Sequence, residues 1–266
     1  MINGYRVIDS HCHIFPDKIA ARAADSTGEF YGFQAAGDGT LAGLLNSGTA
    51  VSIDHFIVQS VATTPHQVRS INEFIADAVS RDVRLTGLGT LHPESEDIAA
   101  DLRHLQELGL RGVKLHPDIQ RFKMDDYRCL KIYELCEREG LPILMHTGDS
   151  RYDFSNPNRL LPVLKIYTEL TVIGAHLGGW SVWDEATASL VDCPNLYVDC
   201  SSCMPFLSPE KVLAIIRCYG ANRVLFGSDF PMFLPEKELP ALLNLGLTEA
   251  ELRAILSENA ATLYQI

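Results

Sequence analysis

The stretch 5–16, YRVIDSHCHIFP, sets two imidazoles one residue apart behind an apolar start at Val7 and Ile8. Side chains on a strand alternate faces, so His11 and His13 should point one way and Cys12 the other. Two imidazoles on one face, ~6.6 Å apart along the strand, are placed to grip one metal ion from neighbouring positions. A short HxH also occurs as a pair of surface histidines, so its weight depends on what the rest of the chain brings beside it.

The other chemistry-bearing groups recur at similar places. The nine histidines are at 11, 13, 55, 66, 92, 104, 116, 146 and 176. His92, His116, His146 and His176 each follow a short apolar run, as do Asp199 and Asp229. Those runs are expected as strands over 54–61, 85–91, 112–115, 142–145, 171–175, 196–198 and 224–226, after the first at Val7. Helical patterns lie between them, over 65–81, from 94 or 95 to 109, and over 125–138, 160–169, 180–190 and 209–219. Further helices are expected at 239–245 and 249–263, and 27–48 reads as a long loop with a short helix at 41–46.

Nearly continuous apolar strands, each followed by a helix, indicate a parallel sheet buried on both faces. Eight such units indicate an α/β fold of the (β/α)8 TIM-barrel type, one domain over 1–266. A doubly wound open sheet would need a glycine-rich phosphate turn after the first strand, and HCHIFP is not one. Barrel active sites form at the carboxyl ends of the strands, where His11, His13, His92, His116, His146 and His176 fall.

Composition narrows the function class. The chain has 266 residues, with 22 Lys plus Arg against 34 Asp plus Glu, a net charge of −12. An acidic chain without a basic cluster is a poor partner for nucleic acid or an anionic membrane. No apolar run reaches membrane-spanning length and no signal-peptide pattern opens the chain, so the cytoplasm is the expected location. Seven dispersed cysteines indicate reduced thiols rather than a disulfide framework. Cys200 and Cys203 form a CxxC with no second pair to complete a tetrathiolate zinc site.

HxH after the first strand, GVKLHP at 112–117, His146 after the fifth, His176 with Gly178 and Gly179, and GSDFP at 227–231 together resemble the amidohydrolase superfamily. The resemblance is to its "amidohydrolase 2" branch, which holds small metal-dependent hydrolases and decarboxylases similar to aminocarboxymuconate semialdehyde decarboxylase. It implies that His11, His13, His146 and Asp229 ligate a metal ion. It further implies that Asp229 handles the proton of an activated water and that His176 orients that water or polarises the substrate. Zinc suits three nitrogens and a carboxylate, with an open position left for water. Lys114 shares strand parity with His116 and should face the interior. One ion is expected, or two if Lys114 is carboxylated as in two-metal members of the superfamily.

His116 and His92 are candidate contacts to substrate or to ligands. Arg121, Arg151 and Arg159 are the basic residues of the loops that follow the strands. Arg151, just after His146, is the candidate to bind a substrate carboxylate. The partner is thus a small molecule, oligomers being possible. Hydrolysis of an amide, ester or lactone is the first expectation. Decarboxylation of an aromatic or unsaturated acid is the alternative, less favoured because this chain looks too short to carry the loops expected of such decarboxylases. A barrel that binds metal or ligand without turnover is the third.

Overall fold

A computed structural model describes residue 2 and residues 4–266. Its strands are β1 Ile8–His13, β2 His55–Gln59, β3 Leu85–Gly87, β4 Gly89–Thr90, β5 Val113–Leu115, β6 Ile143–Met145, β7 Val172–Gly174, β8 Leu196–Asp199 and β9 Val224–Leu225. All pair in parallel, β1 to β3 in one group and β4 to β9 in the other. The two groups are one closed barrel. Leu88, between β3 and β4, donates to Val58 on one side, and Gly89 donates to Gly112 on the other. The stretch 85–90 is therefore a single barrel strand with a break, as expected for the third of eight. The ring closes where Ser10 donates to Phe226 and Cys12 bridges Phe230.

The register of β1 on β2 shifts between Asp9 and Cys12. A bulge of this kind bends the strand and re-aims the side chains within it, here His11.

The helices around the barrel include α1 Ala20–Tyr31, α2 Leu41–Ala50, α3 Val68–Ser80, α4 Ile98–Glu107, the one-turn α5 Pro117–Gln120, and α6 Leu130–Glu139. After them come α7 Pro157–Ile166, α8 Trp183–Leu190, α9 Pro209–Tyr219 and α10 Pro235–Leu243. The described chain ends in a helical run from Glu249 to Tyr264 with a π-helical turn at Ala254–Glu258. None of these helices is long and apolar enough to cross a membrane.

Two sequence expectations need correction. The stretch 27–48 is not a long loop: α1 runs through Tyr31 and α2 through Ala50. The helix placed at 94–109 starts only at Ile98, because Asp97 caps it by accepting from the Ala100 amide at 2.8 Å.

The main apolar core lies between strands and helices. A second cluster of Ile8, Ile57, Leu88, Leu144, Ile173 and Leu225, closed by Ala260 and Tyr264, fills the barrel toward the strand starts. The opposite end opens into a cavity.

Candidate active site

The bulge in β1 brings His11 Nε2 and His13 Nε2 to 3.2 Å from each other. Asp229, from the loop after β9, sets Oδ1 at 3.3 Å from His11 Nε2 and 3.7 Å from His13 Nε2. The Asp229 backbone is left-handed, φ +61°, and its amide donates to the His11 carbonyl at 2.8 Å. Its other oxygen, Oδ2, accepts from the Ser202 hydroxyl at 2.6 Å. Gly227 permits this approach, since a Cβ there would stand 2.8 Å from the Cβ of His11.

Asp199, at the end of β8, organises the next layer. Its Oδ2 accepts from His11 Nδ1 at 2.9 Å. Its Oδ1 accepts from the His176 amide at 3.2 Å, the Ser201 amide at 3.0 Å and the Ser201 hydroxyl at 2.5 Å. Burial works against the charge of Asp199, but the adjoining His11 and His176 rings and Ser201 hold its carboxyl well below the usual range. Its bond to Nδ1 leaves the lone pair of His11 on Nε2, facing the cavity.

His176 is also left-handed, φ +58°, with its ring stacked 5.3 Å from that of His11. Its Nδ1 lies 2.9 Å from the Ser201 hydroxyl and its Nε2 3.1 Å from His146 Nδ1. With Leu177 and Ser202, four non-glycine residues at this site lie in the left-handed region, a local cost that surrounding contacts must hold in place.

His146 is one imidazole further along the row. Its Nε2 lies 3.1 Å from the Gly148 carbonyl and 3.6 Å from Asp118 Oδ2. Its ring stacks on His116, centroids 4.0 Å apart. His116 caps α5, its Nδ1 accepting from the Ile119 amide. The donors that converge most closely are thus His11, His13 and Asp229. His146 groups instead with His116 and Asp118.

Burial is the leading influence on these imidazoles. It holds His13, His116 and His146 well below the ordinary histidine value and brings His176 down to about 4. Lys114 is fully buried with Nζ 3.1 Å from His11 Nε2, and burial brings its ammonium down to about 8. Neutral imidazoles are the form that ligates metals.

A cavity of about 620 Å³ opens above these groups, lined by His11, His13, Lys114, His116, His146, His176 and Asp229 together with residues of α1 and α3. Tyr31, at the end of α1, reaches in. Its hydroxyl lies 2.8 Å from His116 Nε2 and 3.3 Å from His146 Nε2. Sequence reasoning missed Tyr31 because the end of α1, residues 27–31, was read as loop. It missed Asp118, and it placed Asp199 at the strand ends without its partner His11, which lies 188 positions away.

The remaining candidates lie elsewhere. His92 is buried outside the cavity and accepts from the Glu94 amide. Arg151 does not line the cavity. Its Nη2 and Nε bind Asp149 at 2.7 and 3.0 Å, and its Nη1 donates to the Phe30 carbonyl at 2.5 Å. The guanidinium stacks over Phe30, Tyr31, Tyr152 and Trp180, 5.0 to 5.8 Å from their centroids. Arg159 is paired with Asp125 and Asp153.

Comparison with known proteins agrees with this architecture. The chain is similar in structure to a TIM-barrel protein of Bordetella bronchiseptica, with a TM-score of 0.81, 22% identity, and 97% and 98% of the two chains covered. It is similar to a dihydroxybenzoic acid decarboxylase of Polaromonas sp. JS666, solved with manganese and 2-nitroresorcinol, at TM-score 0.74 and 17% identity over 98% and 97%. A third is a candidate 2-pyrone-4,6-dicarboxylic acid hydrolase of Pseudomonas putida, at TM-score 0.70 and 21% identity over 98% and 97%. No curated protein sequence matches the chain. The Amidohydrolase family model matches residues 8–266, and the chain belongs to that family of metal-dependent enzymes.

Proposed function

We propose that this chain is a metal-dependent hydrolase acting on an amide, ester or lactone bond of a small molecule. The observation that carries the reading is the meeting of His11 Nε2, His13 Nε2 and Asp229 Oδ1 at separations of 3.2 to 3.7 Å. Donors about 2.1 Å from a tetrahedral ion lie about 3.4 Å apart, so the three fit a shared cation. His11, His13 and Asp229 would hold it, with His146 as the third nitrogen that the family resemblance implies. Zinc suits this donor set, and one ion is expected unless Lys114 is carboxylated. When bound, the ion lowers the pKa of water and polarises a carbonyl.

The protein's own groups do the rest. Asp229 takes the proton of the attacking water and returns it to the leaving group. Ser202, bonded to Oδ2, keeps Oδ1 turned toward the histidine pair. His176, fixed by Ser201, orients the water or polarises the scissile carbonyl. His116 faces the substrate from the cavity wall. Arg151, already engaged by Asp149 and Phe30, holds Tyr31 and the loop after β6 in place rather than binding substrate. All seven cysteines are unpaired, which fits a reducing cytoplasm.

Decarboxylation is the second reading, and one observation favours it. The match to the decarboxylase covers 97% of that chain, so the shortness that argued against this class does not separate the two. In that reaction the carbon–carboxylate bond breaks, CO2 leaves, and Asp229 or His176 protonates the carbon. The test is a panel of lactones, N-acyl compounds and aromatic acids given to the metal-loaded protein. Ring opening or acyl cleavage without CO2 supports hydrolysis. CO2 release from an aromatic acid replaces it with decarboxylation.

A further inference from the structure

We infer that the slot between α1 and α3 seats an unbranched aliphatic chain, so that the substrate is an amphiphile such as a long-chain acyl amide or ester. The inference rests on the proposed metal-dependent reading and adds the apolar half of the substrate. The cavity of about 620 Å³ is of a size that takes a drug-sized ligand, and the histidines and Asp229 line only part of it. Two helices supply much of the remaining wall. α1 gives Ala23, Thr27 and Phe30, while α3 and the residue before it give Gln67, Ile71 and Phe74. Within each set the spacing is three or four residues, so each is one stripe of a helix, ~10 Å long. Phe30 fixes the inner end of the slot, its ring meeting that of His116 edge-on at 6.5 Å. At the rim Ile19, just before α1, is 40% exposed.

The barrel uses a different stripe of α3, whose buried apolar residues are Val68, Ile75 and Ala78. A helix lying on a barrel ordinarily turns polar away from the stripe it buries. Here Ile71 and Phe74 are half-buried, touching the core on one side and the cavity on the other. None of the residues that α1 and α3 give to the cavity carries a charge. Polar side chains along the slot are satisfied locally. The Thr27 hydroxyl donates to the Ala23 carbonyl and the Ser70 hydroxyl to the Gln67 carbonyl, both at 3.0 Å. Gln67 Oε1 accepts from the Thr63 amide and hydroxyl and from the Thr64 amide, at 2.9 to 3.2 Å. Such a slot presents methyl, methylene and ring surface with few hydrogen bonds to offer, which selects an alkyl chain over a sugar or a peptide. Each methylene buried there adds affinity whatever the head group.

Calorimetric titration of the metal-loaded protein with acetohydroxamate, butyrohydroxamate and octanohydroxamate tests this, since the metal-binding head is shared and only the chain varies. A fully buried methylene is worth about fourfold in affinity, so the octanoyl compound should bind at least ~30-fold more tightly than the butyryl one. Ala23→Phe and Ser70→Phe fill the slot from opposite walls, away from the metal ligands. Each should cut that gain below about fivefold while leaving acetohydroxamate binding unchanged. A smaller gain in the wild type, or one that neither variant lowers, overturns the proposal. So does a wild-type dimer without the gain that both variants dissociate, which would give the slot to a second copy of the chain. Octanol against butanol repeats the comparison in the metal-free protein, so failure of the metal assignment is read separately from failure of the slot.

Discussion

The two ends of one barrel interior carry opposite chemistry on the same strands. Ile8, Leu144, Ile173 and Leu225 sit in the closed apolar end. Two to four residues further on, the same strands or the loops that follow them place His11, His146, His176 and Asp229 at the open end. One end is filled by side chains that need only fit. At the other, buried histidines, a lysine and carboxylates are held at hydrogen-bonding distance from one another. The difference teaches a division of labour: the apolar end fixes where the strands stand, and that placement aims the polar end.

The largest expected effect breaks the open end alone. Asp229→Asn should lower turnover by roughly 10²- to 10⁴-fold while leaving the fold and most metal in place. Wild-type rates in that variant, on any substrate found, would remove Asp229 from the reaction. The converse change acts on the closed end. Leu144→Ala should cost about 2–5 kcal/mol in urea unfolding, with unchanged metal content per folded molecule. Metal lost before stability would show that the two ends are not separable in this way.

Acid sharpens the contrast. The fold holds His13, His116, His146 and His176 neutral, while the unfolded chain takes up their protons near pH 6.5. The stability these four groups contribute to the metal-free protein should therefore be full above that pH and fall on acidification toward 4, where His176 itself takes a proton. Each such group removes up to ~1.4 kcal/mol per pH unit, while Asp9, Asp118 and Glu238, whose carboxyls burial raises to about 6, 7 and 8, act in the opposite sense, so the histidines are best followed one ring at a time by NMR titration. Imidazole resonances of the metal-free protein that titrate near pH 6.5 would mean that these rings are not held neutral. The smallest effect is expected from Arg151→Met. It should cost about 1–3 kcal/mol, because it leaves the buried Asp149 carboxylate without its guanidinium, and leave metal content unchanged. No measurable change in urea unfolding would show that Asp149 does not depend on this guanidinium.

What could be read from the chain follows the same division. The strands were legible because parallel strands buried on both faces are unbroken apolar runs, as at Ile143–Met145 and Val172–Gly174. Histidines at their ends then mark the open face. Helix α1 was not legible, since the residues it buries are Ala20, Ala24 and Gly28. Small side chains give no hydrophobic periodicity, yet Gly28 is required, as a Cβ there would lie 2.5 Å from the Phe33 carbonyl. Tyr31 was lost with it. The pairing of Asp199 with His11, and the bond from Arg151 to the Phe30 carbonyl, depend on residues that only folding brings together.

The most direct test is a crystal structure of the protein loaded with zinc or manganese, read by anomalous scattering at the metal edge. One ion bonded at about 2.1 Å by His11 Nε2, His13 Nε2 and an Asp229 oxygen is the expected result. An ion bound instead between His116, Asp118 and His146, or none at any concentration that leaves the protein folded, would contradict the account.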